Sequence, residues 1–90
     1  ALFCFCDEIA LPTMAFLKEN GFSIPGDMAI IIVDNLHYSS QLSPALTTVD
    51  THKEMIGREA AQVLLEKLKG KRRSPREILI PAEIVSRASV

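Results

Sequence analysis

Met28-Ala29-Ile30-Ile31-Ile32-Val33-Asp34-Asn35 decides the fold of this 90-residue chain. Residues 29–33 are apolar without a polar break, and the last four of them are β-branched. A strand with one wet face alternates. A short unbroken β-branched run marks a strand covered on both faces, the habit of the central strand in a parallel α/β sheet. The run stops at Asp34-Asn35. Ligands of open α/β sheets sit beyond the carboxyl ends of the strands. Asp34 is therefore either a ligand-binding carboxylate or half of a turn, and an Asp-Asn pair by itself favours the turn.

Upstream, residues 1–6 (ALFCFC) form a second apolar run and are expected to make a second buried strand. Asp7 reads as the N-cap of a helix reaching about Asn20, with Glu8 suited to its first turn and Gly21 just past its end. Ile9, Thr13, Phe16, Leu17 and Asn20 fall along one side of it. Pro12 removes a backbone hydrogen bond from such a helix, unless the first turn is irregular or the helix begins near Leu11. Residues 22–27 (FSIPGD) carry loop punctuation. Strand, helix and strand together make one βαβ unit.

Downstream of Asn35 the composition turns polar, and residues 36–44 read as a loop or short helical turn that could present Tyr38 and Leu42 to a partner. Residues 46–50 (LTTVD) are β-prone. Thr51 and Glu54 have the spacing of a capping box, announcing a helix to about Lys69 with an apolar stripe of Ile56, Ala60, Val63, Leu64 and Leu68. Lys67, Lys69, Lys71, Arg72, Arg73 and Arg76 crowd its far end. Cations at the negative end of a helix dipole explain them more simply than a nucleic-acid patch, because no nucleic-acid motif accompanies them. Residues 77–80 are expected to form a last strand, broken by Pro81 and resumed at Ile84 and Val85, with residues 86–90 a frayed tail.

The totals bound the function. Ninety residues allow one small domain at most. A net charge of −1 gives no general electrostatic case for nucleic acid or an anionic membrane. No apolar run approaches the roughly 20 residues of a membrane helix. The opening residues have no basic segment of the signal-peptide kind, and the abrupt apolar start suggests a piece of a longer protein. Cys4 and Cys6 share a strand face but are poorly placed for a disulfide, so they read as reduced strand residues. With His37 and His52 they match no standard zinc spacing, so no metal or other cofactor is expected. Asp7, Glu8 and Asp34 could approach one another at neighbouring strand ends, but nothing in the sequence specifies the pKa pairing that an acid–base enzyme needs.

Four stretches and the chain end together resemble a known family. Residues 3–11 (FCFCDEIAL) are similar to a strand followed by Asn-Asp-x and Ala-Leu. Residues 21–27 (GFSIPGD) are similar to Gly-Leu-x-Val-Pro-x-Asp. Residues 31–35 (IIVDN) are similar to Ile-Gly-Phe-Asp-Asn. Residues 43–49 (SPALTTV), with Gly57 and Ala60, are similar to Pro-x-Leu-Thr-Thr-Val and Gly-x-x-Ala, and residues 80–90 resemble the family's ending. The family is that of the lactose-repressor (LacI/GalR) transcription regulators, and the match covers nearly the whole chain.

The resemblance implies an α/β fold, a parallel-sheet βαβ fragment of the periplasmic-binding-protein-like (type I) core. Residues 1–46 would belong to the C-terminal effector-binding subdomain and 47–51 to a hinge strand. Residues 52–70 would form a helix of the N-terminal subdomain, and 71–90 the return crossover and final strand. It implies a binding module in the cytoplasm, not an enzyme, responding to a sugar or a purine-like metabolite. Operator DNA would be contacted only through an N-terminal domain that this chain lacks, with no membrane partner. Asp34 matches the family acid that hydrogen-bonds effector, and Cys6 stands where many members carry an effector-touching Asn. Asp7, Thr51 and Lys53 fall on or beside cleft positions. Leu11 and Leu42 match the homodimer seam, with Tyr38 beside them. A secreted sugar-binding protein of a transporter, sharing the fold, is the alternative.

Overall fold

The computed structural model describes residues 1–71 and 74–90. The elements run β1 (Leu2–Phe3), α1 (Asp7–Glu19), β2 (Ile30–Val33), a 3-10 turn (His37–Ser40), β3 (Thr47–Asp50), α2 (Lys53–Leu68) and β4 (Glu83–Val85). They form one sheet in the order β1-β2-β3-β4. β1, β2 and β3 are parallel, and β4 returns antiparallel to β3. The α/β class and the central place of the Ile-rich strand thus follow the sequence reading.

The core lies between β2 and α1. Ile30 and Ile32 are fully buried, each gaining roughly 1.5–3 kcal/mol by leaving water. Against them pack Ala10, Met14 and Leu17, at the helical spacing of one face. This is a correction to the expected stripe: Ile9 and Phe16 are 50% and 61% exposed. The two stripes lie side by side on α1, and the sheet takes the one carrying Ala10, whose methyl lets the helix backbone approach. Pro12 lies inside α1, on an exposed face. Ile31 and Val33 point to the other face of the sheet and are only half-buried, so β2 is fully covered on one side alone.

Several local expectations change. β1 is two residues long, and Leu2 and Phe3 are exposed at the sheet edge instead of forming a buried strand. Cys6, not Asp7, is the N-cap of α1, and makes no side-chain cap bond. The Thr51 capping box does not form. His52 is the N-cap of α2 in a left-handed conformation (φ +54), so Thr51 falls one residue outside the reach of a cap. Residues 77–80 have no strand partner among the described residues, and the last strand begins at Glu83.

The expected frayed tail is instead anchored. Ser89 is fully buried, its hydroxyl donating to the Ile30 carbonyl at 2.6 Å and accepting from the Thr47 N–H at 2.8 Å. Its carbonyl accepts from the Ile30 N–H at 2.8 Å. Arg87 exchanges backbone hydrogen bonds with Thr47 Oγ1, and its guanidinium donates to the Leu46 carbonyl at 2.7 Å. The tail therefore knots β2 to β3 where both strands begin.

α2 is different. None of its residues is buried, and Ile56, Leu64 and Leu68 are 46%, 58% and 75% exposed. Its apolar stripe faces residues 78–80 across an open groove of about 680 Å³. The radius of gyration is 17.8 Å, where a compact domain of this length would have about 12 Å. Lys67, Lys69, Lys71 and Arg76 are exposed, while Arg72 and Arg73 lie outside the described residues.

Ser89→Ala tests the anchored tail. It leaves the buried Thr47 N–H without its acceptor, which should cost about 1–3 kcal/mol in urea unfolding. An unchanged midpoint would mean that the Ser89 hydroxyl contributes nothing to the fold.

Candidate functional site

Because β1, β2 and β3 run parallel, the residues that follow them leave from one edge of the sheet: Cys6 and Asp7, Asp34 and Asn35, Thr51 and His52. β4 enters at the same edge, Glu83 opposite Asp50. This edge is where an open α/β sheet takes its ligands.

At its centre the chain leaves β2 through two residues of positive φ, Asp34 at +99° and Asn35 at +47°. Such conformations cost non-glycine residues of order 1–3 kcal/mol each and persist only where neighbours enforce them. Here the Asp34 N–H donates to the Val49 carbonyl at 3.0 Å and the Asn35 N–H to Thr48 Oγ1 at 3.1 Å. The Asn35 side chain is held at both ends: its amide donates to Asp50 Oδ2 at 2.8 Å, and its carbonyl accepts from Arg87 at 2.7 Å. The half-buried Asp34 carboxylate, in contrast, has no hydrogen bond or ion pair among the described residues. The turn and ligand readings of Asp34 are compatible: the backbone makes the turn and leaves the carboxylate unengaged.

On one side lies the start of α1. Asp7 is fully buried; its Oδ1 accepts from Ser39 Oγ at 2.6 Å, and its Oδ2 has no hydrogen-bond partner among the described residues. Cys6 is half-buried and free. Partial burial first, then the negative charge of Asp7 and Glu8, pushes the Tyr38 hydroxyl up from its ordinary pKa. Burial likewise pushes the Cys4 thiol up. Leu42 packs against the core, whereas Leu11 is 37% exposed.

On the other side is a cleft of about 400 Å³ lined by Asn35, Asp50, His52, Lys53 and Arg58. The His52 N–H donates to Asp50 Oδ1 at 2.7 Å, and this bond, followed by that from Asn35, holds the Asp50 carboxyl below its ordinary pKa. Thr51 is half-buried and Lys53 exposed. The structure brings Lys53 to the cleft, and sets Cys6 and Asp7 on the α1 side of the same edge. Sequence reasoning missed Asn35 as a clamp, Asp50, His52, Glu83 and Arg87. Only the Asp-Asn pair gave any signal, since the others meet through strand pairing across long stretches of chain.

A sheet of this order, with its polar row at the carboxyl edge, is that of a ligand-binding α/β domain. The chain belongs to the periplasmic binding protein-like domain family, which matches residues 1–90. Within that family it matches the effector-binding core of LacI/GalR-type regulators. The HTH-type transcriptional repressor PurR of Vibrio campbellii is 39% identical over 90 residues, which is 100% of this chain and 27% of the relative. PurR of Actinobacillus pleuropneumoniae is 44% identical over 92 residues, again 27% of its length. A LacI family transcriptional regulator from Enterococcus faecalis V583, solved with bound ribose, superposes with a TM-score of 0.90 at 33% identity, covering 97% of this chain and 33% of that one. The chain thus spans between about a quarter and a third of the proteins it matches.

The buried Asp7–Ser39 pair separates two serines in adjacent positions. Ser39→Ala leaves the whole Asp7 carboxylate without a partner and should cost about 1–3 kcal/mol. Ser40→Ala removes only an exposed bond to the His37 carbonyl and should stay within about 0.5 kcal/mol in the same unfolding experiment. Equal effects would show that Asp7 is not held through Ser39.

Proposed function

We propose that this chain is part of the effector-binding and dimerisation core of a LacI/GalR-type transcriptional repressor. The observation that carries the reading is the unengaged Asp34 carboxylate, held in a strained turn at the carboxyl edge of three parallel strands. A carboxylate offers paired acceptors to the hydroxyls of a sugar or the N–H groups of a purine-like metabolite. In this reading Cys6, Asp7, Thr51 and Lys53, which leave from the same edge of the sheet, contribute to the effector site. The ribose bound by the Enterococcus regulator makes a pentose the first probe.

In this reading residues 1–46 belong to one subdomain, 47–51 are the hinge strand, 52–70 a helix of the other subdomain, and 71–90 the return. The bare apolar stripe of α2 supports it, because a helix with no buried residue needs cover from elsewhere in the protein. Leu11, Leu42 and Tyr38 would lie at a homodimer seam. Effector acts by preferring one cleft geometry and so biasing operator-binding heads carried outside this chain, in the cytoplasm. The core binds and does no chemistry.

Asp34→Asn in the full-length protein tests this. Loss of a charged acceptor should weaken the strongest binder among ribose and a panel of purine bases at least about tenfold by calorimetry. The unfolding midpoint should stay close to that of the unsubstituted protein, because Asn also tolerates positive φ. Unchanged affinity would reduce Asp34 to a turn residue.

A further inference from the structure

Asp50 and Glu83 are direct partners in the antiparallel β3–β4 pair. Side chains so placed share a face with Cβ atoms about 5 Å apart, and like charges there destabilise the sheet. No Lys or Arg forms an ion pair with either among the described residues. The group that does approach is the imidazole of His52, whose Nδ1 lies 3.9 Å from Asp50 Oδ1. One ligand atom from each of Asp50, His52 and Glu83 falls within 4.8 Å of the other two.

From this geometry we infer that Asp50, His52 and Glu83 form a binding site for a divalent transition-metal ion. A nitrogen with two carboxylate oxygens suits zinc, and also manganese or cobalt, better than calcium, which wants six or more oxygens. Bonds of about 2.0–2.2 Å set ligand atoms roughly 3–3.5 Å apart. The exposed Glu83 can close the remaining gap by rotation, and Asp50 is already fixed by the bonds from Asn35 and the His52 N–H. Each Asp50 oxygen accepts one of those bonds, and a carboxylate oxygen has two lone pairs, so one stays free on each. Three protein ligands leave a fourth position for water. The ion would neutralise the opposed carboxylates and join the end of β3, the start of α2 and the start of β4 at one point. The inference does not rest on the effector assignment, which concerns Asp34.

The test is titration of the full-length protein, stripped with chelator, using Zn²⁺ by calorimetry and Co²⁺ by visible absorption. One equivalent per chain is expected, with cobalt d–d bands and no thiolate charge-transfer band. His52→Gln and Glu83→Gln should each weaken zinc at least about tenfold, and Cys6→Ser should leave it unchanged. Glu83 is exposed at the sheet edge, so its variant should keep the parent circular dichroism and remain a valid test if His52→Gln misfolds. Absence of saturable binding, a sulfur charge-transfer band, or undiminished affinity in Glu83→Gln would overturn the site.

Discussion

One hydroxyl holds the sheet together where its strands begin. Ser89 joins the carbonyl of Ile30, 59 positions away, to the N–H of Thr47, 42 positions away. Parallel strands have no tight turn between them, so each pairing must be closed over a long loop at an entropic cost. The last residues of the chain meet part of that cost. Arg87 extends the tie to the opposite edge, because one end of its guanidinium holds Leu46 and the other holds Asn35. The polar row at the carboxyl edge is thereby coupled to the core through backbone and side chain alike.

The fold was legible where a pattern was local and continuous. The Ile-rich run with its terminal Asp34-Asn35 gave the central strand, and the helix expected to reach about Lys69 ends at Leu68 with Lys69 as its C-cap. Legibility failed where partners are distant. A Ser and an Arg in the last few residues look like a solvated tail, and only the sheet shows that they bond to Ile30, Thr47 and Asn35. Thr51-x-x-Glu54 has the composition of a cap, but the chain arrives at α2 through a left-handed His52, which takes the capping position instead. On α1 the two candidate stripes differ by one residue, and periodicity alone could not choose the side carrying Ala10. The candidate site divides in the same way. Asp34 is visible at a strand end, whereas the group around Asp50 exists only because β4 returns beside β3.

Burial is divided as unevenly as the information. α1 gives the sheet Ala10, Met14 and Leu17, while α2 buries nothing. The 1–50 region with its tail thus has a core of its own, and α2 with residues 76–80 is an amphipathic pair awaiting cover. That asymmetry accords with membership of a family whose matched members are three to four times longer.

α2 also has a mechanical meaning. Its 16 residues make a rod of about 24 Å, rooted at the left-handed His52 and with no buried residue along its length. A rotation of only about 10° at that root would carry the far end through roughly 4 Å, a simple lever on the helical rise. A small change among Asn35, Asp50 and His52 that turned this root would therefore displace Leu68 the most. Whatever packs against the apolar stripe of α2 would meet such a turn at the long end of the lever.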